Sequence, residues 1–177
     1  MVRLQQPDMI FLTGDMLNQD DDDPQVVLKL VERLAETAPV YYGYGNHEIA
    51  WEENHGIALR EFLTQSGAIV LNNDYIDITV KGQPMRIGGY MGYYRQPHMM
   101  TQDDAQKVLE YAFFDDFENT DRLKLLLNHI PTGWTDWGYL DRFPVDLIFS
   151  GHYHGGLVRL PLWNRGLYAP YIGLFPP

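Results

Sequence analysis

MIFLTGD, residues 9–15, is an apolar run that stops on Thr13, Gly14 and Asp15. Consecutive large apolar side chains without polar alternation predict a strand covered on both faces, the pattern of a largely parallel sheet. A parallel sheet needs crossovers, and the next segment supplies one. In QDDDDPQVVLKLVERLAET, residues 19–37, Asp23 and Pro24 make a helix start, and Val27, Leu30, Val31 and Leu34 form one apolar stripe. The Asp20–Asp23 run reads as a solvated start favoured by the helix dipole rather than as a cation site.

Further along, PVYYGYGN (39–46) predicts a second strand closing on glycines, and NHGIALREFLTQSG (54–67) a helix stopped by Gly67. AIVLNN, YIDITVKG and PMRIGGY predict three short strands between residues 68 and 90. TQDDAQKVLEYAFFDDF (101–117) has a capping-box pattern, Thr101 to Asp104, ahead of an apolar helix stripe. RLKLLLNH (122–129), VDLIFSGH (145–152) and GGLVRLP (155–161) complete the series of strands. Strands alternate with helices early and dominate later, which predicts one α/β domain over residues 1–177 with mixed sheets. The opening MVRLQQPD reads as the tail of a helix and the closing LYAPYIGLFPP as a loop, so the chain is expected to be truncated at both ends.

Composition narrows the chemistry. The 177 residues contain no cysteine, which excludes a disulfide scaffold, thiolate zinc sites and a thiol nucleophile. A formal net charge of −11 argues against general nucleic-acid or anionic-membrane binding and suits a site that concentrates divalent cations. No apolar run approaches the ~20 residues of a transmembrane helix. No Gly-rich phosphate loop is present.

Four predicted strand ends deliver metal-competent side chains: Asp15, the pair Asn46 and His47, His129, and His152. Open α/β sheets bind ligands at the carboxyl ends of their strands. This set of hard oxygen and borderline nitrogen donors suits Mn, Fe, Zn, Co or Ni and fits Ca poorly. In GHYHGG, residues 151–156, an extended backbone would point His152 and His154 to one face, toward one ion.

GDMLN (14–18), GNHE (45–48), NHIP (128–131) and GHYHGG, in that order, resemble the motifs of the calcineurin-like metallophosphoesterase superfamily. GHYHGGLVRLP followed by GLYAP resembles its bacterial membrane-type phosphoesterase branch. The resemblance implies two packed mixed β-sheets flanked by helices, with two divalent metals at the strand ends. It implies that Asp15 bridges both metals, that Asn46, His129 and His152 complete one metal's shell, and that His154 serves the other. Asn46 and His47 would meet the substrate phosphate, and His47 would protonate the leaving group. The implied function is metal-dependent phosphoric ester hydrolysis of a monoester or diester by a metal-activated water. Its substrate would be a phosphorylated small molecule or a lipid-linked phosphoester, in the cytoplasm or at the membrane of a bacterium.

The superfamily opens with an Asp-x-His on its first strand, and none stands upstream of Asp15. The first strand and the last strands of the family fold are therefore expected to be missing. That leaves a second reading open: an impaired one-metal or metal-free module that binds without turnover. Other residues stay ambiguous. Glu48 could orient a ligand or serve structure. Tyr90, Tyr93, Tyr94, Arg95, Trp134 and Trp137 could border the site or pack the core. His55 and His98 read as surface or loop residues.

Overall fold

The computed structural model describes residues 2–21, 23–92, 105–135, 138, 140–154, 158–159, 166–169 and 173–174. Two main sheets lie face to face with helices outside. The first contains β1 (Ile10–Leu12), β2 (Val40–Gly43) and β3 (Ala68–Leu71), all parallel, in the order β1-β2-β3. The crossovers are α1 (Gln25–Ala35), then α2 (Asn46–His55) and α3 (Leu59–Gln65). The second sheet has the order β4-β5-β6-β7 and contains β4 (Asp74–Val80), β5 (Gln83–Gly92), β6 (Leu123–Ile130) and β7 (Leu147–Phe149). Its β4–β5 pair is an antiparallel hairpin, turned on Lys81 and Gly82 with φ of 49° and 84°, which suits a tight two-residue turn. The β5–β6 and β6–β7 pairs are parallel, with α4 (Ala105–Phe117) and the short α5 (Thr132–Thr135) in the connections. A small antiparallel sheet of β8 (Val158–Arg159), β9 (Gly166–Ala169) and β10 (Gly173–Leu174) follows.

Alternation along the central strands builds three apolar layers. Tyr41, Leu71, Ile87, Leu125 and Leu127 fill the space between the two sheets. Tyr42 and Val70 point the other way, under Val27, Leu28 and Val31 of α1 and Leu59 and Leu63 of α3. Leu126 and Tyr90 meet Phe114 and Phe117 of α4 on the far face of the second sheet. The sheets approach closely at Gly89, where an added Cβ would sit 2.2 Å from the Leu71 carbonyl oxygen. Only glycine fits there.

Three sequence expectations are corrected. The run at Ile10–Leu12 is not buried on both faces; β1 is an edge strand and its residues are all partly exposed. In α1, Leu28 is buried beside Val27 and Val31 while Leu30 is 38% exposed, and Pro24 rather than Asp23 is the N-cap residue. Asp23 still helps the start, since its Oδ1 accepts the Gln25 N–H at 2.9 Å. Residues 54–67 are not one helix: Gly56, at φ 64°, closes α2, and α3 begins at Leu59. The capping pattern at Thr101–Asp104 lies outside the described residues.

Candidate metal centre

The carboxyl ends of β1, β2, β6 and β7 come together. After β1 the chain turns through Thr13 and Gly14 into Asp15, which holds a left-handed φ of 55°. After β2 it turns through Tyr44 and Gly45 directly into α2, so Asn46 and His47 are the first residues of a helix, not of an extended segment. The two turns cross closely: a Cβ on Gly45 would lie 2.3 Å from Asp15 Oδ1. Glu48, in the first turn of α2, accepts the Gly45 N–H at 2.8 Å and caps that helix. His47 donates its backbone N–H to Asp15 Oδ1 at 2.9 Å.

His129 stands near the end of β6 and is 1% exposed. Its Nδ1 lies 2.6 Å from the Thr13 carbonyl oxygen, so Nδ1 carries the proton and donates it. Its Nε2 then faces Asp15 Oδ2 at 3.0 Å and Asn46 Oδ1 at 3.2 Å. His152 places Nδ1 3.1 Å from the same Asn46 Oδ1, and its ring stands nearly perpendicular to that of His129, 5.3 Å between centroids. Gly151 keeps this corner open: a Cβ there would come within 2.9 Å of His129 Nδ1. Asp15, His129 and His152 each offer a ligand atom, all within 4.8 Å of one another.

The segment carrying His152 and His154 is a turn rather than a strand. Both residues have left-handed φ, 63° and 54°, so the same-face argument for alternating strand residues does not apply to them. His152 points into the group, while His154 is exposed and stands outside the converging trio. His47 lies at the mouth, with Nε2 3.9 Å from Asp15 Oδ2 and Nδ1 accepting a long 3.4 Å hydrogen bond from the Gln19 N–H.

These donors fit a cation. With its Nδ1 proton committed to Thr13, His129 in its neutral form would turn an Nε2 lone pair toward two oxygen acceptors. A positive ion set between the three atoms relieves that arrangement. With no ion present, His129 is instead the donor to Asp15: burial works against the Asp15 charge, but the hydrogen bonds from His129 and the His47 backbone, with the two imidazole charges, hold its carboxyl below the usual range. Burial first, and then the charge of His129, push His152 down to about 4, which keeps it neutral and ready to ligate near pH 7.

A stability prediction follows from His152. Its folded value of about 4 lies below the unfolded 6.5, so protonation favours the unfolded chain. Chelator-treated protein should lose about 1–2 kcal/mol from this partly exposed group as the pH falls from 6.5 through 4, after allowance for solvent screening. Urea titrations at stepped pH check it. His152→Asn, which tolerates the left-handed backbone, should flatten the slope over that window.

Other residues singled out in the sequence serve structure. Tyr90 is buried and stacks on Phe113, 5.6 Å between centroids. Trp134 donates its indole N–H to Asn128 Oδ1 at 2.6 Å. His55 stacks on Trp51 in the last turn of α2. Tyr93, Tyr94, Arg95, His98 and Trp137 lie outside the described residues.

A model of the family described as calcineurin-like phosphoesterase matches residues 1–156. The chain belongs to the calcineurin-like phosphoesterases. The matched stretch contains the ordered blocks GDMLN, GNHE, NHIP and GHYHGG, which carry Asp15, Asn46, His47, His129, His152 and His154. Among similar proteins, an uncharacterized metallophosphoesterase of Bacillus subtilis, YkoQ, is 27% identical over 156 residues, covering 87% of this chain and 52% of that protein. The phosphodiesterase YaeI of Escherichia coli is 27% identical over 165 residues, covering 89% of this chain and 53% of its own length. The chain thus spans about half the length of these relatives. A crystal structure of a 5'-nucleotidase precursor from Thermus thermophilus shares the fold, with a TM-score of 0.54 at 18% identity over 86% of this chain and 34% of that one. Family membership implies divalent metal ions, and the donor group above is where this chain could hold one.

Sequence reasoning missed two parts of the centre. One is helix α2, which has no apolar stripe of its own; only Glu48 and Trp51 are buried in it. The other is the Thr13 carbonyl, a backbone group that no side-chain pattern announces.

Proposed function

We propose that this chain carries the metal centre of a divalent-metal-dependent phosphoester hydrolase. The observation that supports it most is the pair of oxygens, from Asp15 and Asn46, set against His129 Nε2 while its Nδ1 is bonded to Thr13. Asp15, Asn46, His129 and His152 would hold one ion, and Asp15 with His154 would reach toward a second. An ion there supplies Lewis acidity toward a phosphoryl oxygen and lowers the pKa of water. The chain's own contribution is orientation and a proton. The neutral Asn46 carboxamide contributes an oxygen without charge, which leaves the centre positive enough to receive a phosphate. His47, at the mouth, presents Nε2 toward the same space. As imidazolium it would hand the Nε2 proton to the leaving oxygen. Protonating Nδ1 gives up only the long hydrogen bond from Gln19.

A second reading has its own observation. His154 is exposed and outside the trio, so the described residues assemble one ion position more completely than two. On that reading the chain binds phosphate through one metal without turnover. Elemental analysis after dialysis against Mn²⁺ should give near one metal per chain. The loaded protein should hydrolyse bis-nitrophenyl phosphate, a diester chosen because YaeI bears the name phosphodiesterase. Metal without hydrolysis would favour the binding module. No retained metal would overturn the centre itself.

A further inference from the structure

We propose that Glu48 is a positioning residue for this centre: its carboxylate clasps the turns bearing Asp15 and Asn46 and so fixes the donor geometry. The inference rests on the metal-centre reading. Glu48 is 0% exposed, at the base of the site, and its side chain is not offered to the ion. Its two oxygens take four hydrogen bonds. Oε2 accepts the Asp15 N–H and the Gly45 N–H, each at 2.8 Å. Oε1 accepts the Met16 N–H at 2.9 Å and the Tyr42 hydroxyl at 2.7 Å. A carboxylate has about four lone-pair sites, so the group is fully used.

These donors come from three places: the turn after β1, strand β2 and the turn after it. The left-handed Asp15 backbone is what aims two successive N–H groups, those of Asp15 and Met16, at one anion. That conformation is uncommon for a residue with a side chain and persists where its surroundings enforce it. Asp15 returns the contact, because its Oδ1 takes the His47 N–H one residue before Glu48. The two turns therefore hold each other by reciprocal carboxylate-to-backbone bonds. Asp15 Oδ2 is left over, facing His129. Without the Glu48 charge the Asp15 backbone loses its reason to stay left-handed, and the spacing of Asp15 Oδ2 to Asn46 Oδ1 is no longer set.

A purely structural Glu48 would predict only lost stability, so the test separates stability from ligand geometry. Co²⁺ affinity and the visible Co²⁺ absorption spectrum are measured for the wild type, Glu48→Gln and Leu63→Ala, at a temperature where near-ultraviolet dichroism shows all three folded. Leu63→Ala is the stability control, since Leu63 is fully buried in α3 with the helix core. Glu48→Gln should weaken Co²⁺ binding roughly 10–100-fold, the usual scale for residues that orient metal ligands, and alter the spectrum. Leu63→Ala should leave both unchanged. If Glu48→Gln does not fold, Glu48→Asp takes its place; it keeps the charge but is one bond too short to reach both turns, and the same loss is expected. Wild-type affinity and spectrum in a folded Glu48 variant would overturn the clasp alone. A wild type that binds no Co²⁺ would overturn the metal-centre reading and the clasp with it.

Discussion

His47→Ala should slow hydrolysis of a phosphodiester with an alkoxide leaving group by roughly two orders of magnitude or more, while the protein keeps its metal. Both halves come from where His47 sits. Its ring stands at the mouth, 3.9 Å from Asp15 Oδ2, and outside the Asp15, His129 and His152 trio. Its hydrogen bond to Asp15 comes from the backbone N–H, and alanine retains that group. The substitution therefore removes a proton donor and leaves the scaffold. A nitrophenolate departs without much protonation, so the loss should shrink for nitrophenyl esters. Turnover for the two leaving groups, measured beside metal content by elemental analysis, checks the assignment. Equal slowing of both, or loss of metal, would move His47 from general acid to substrate binding or to the ligands.

Asp15→Asn should cost at least about 100-fold in divalent-metal affinity, more than the usual effect of a residue that merely orients a ligand. Asparagine is the informative replacement. It tolerates the left-handed backbone at φ 55° and can still accept the His47 N–H, so the turn survives. What disappears is the charge at Oδ2, 3.0 Å from His129 Nε2. Calorimetric titration with Mn²⁺, together with a urea midpoint close to that of the wild type, would show a loss confined to the ion. Unchanged affinity would place the ion elsewhere.

Much of this arrangement was legible in the sequence where burial wrote it. β2 and β6 are covered on both faces, and YY and LLL say so directly. Their ends could be located, and with them Asn46, His47 and His129. β1 misled because an apolar run announces hydrophobic neighbours without saying how many strands flank it. Helix α2 was invisible to periodicity because its start is set by Glu48 and the Gly45 N–H, a local cap with glycine where a hydroxyl or amide residue is usual. For the same reason Asn46 and His47 diverge as helix residues rather than as strand residues. The His152–His154 turn misled because histidine seldom adopts a positive φ, and two of them do so here. The role of Glu48 could be narrowed to two readings from its position in GNHE, but its four donors come from segments that only the fold brings together.

The bond between His129 and the Thr13 carbonyl joins residues 116 positions apart, and that between His152 and Asn46 spans 106. Contacts so distant along the chain form only after long loops have closed, so the donor cluster belongs to the late stages of folding. An unfolded chain offers its histidines and carboxylates one at a time, and an ion finds little purchase on it. The ion therefore acts on the finished protein: it leaves the rate of assembly alone, holds the native state by mass action, and works as a brake on unfolding.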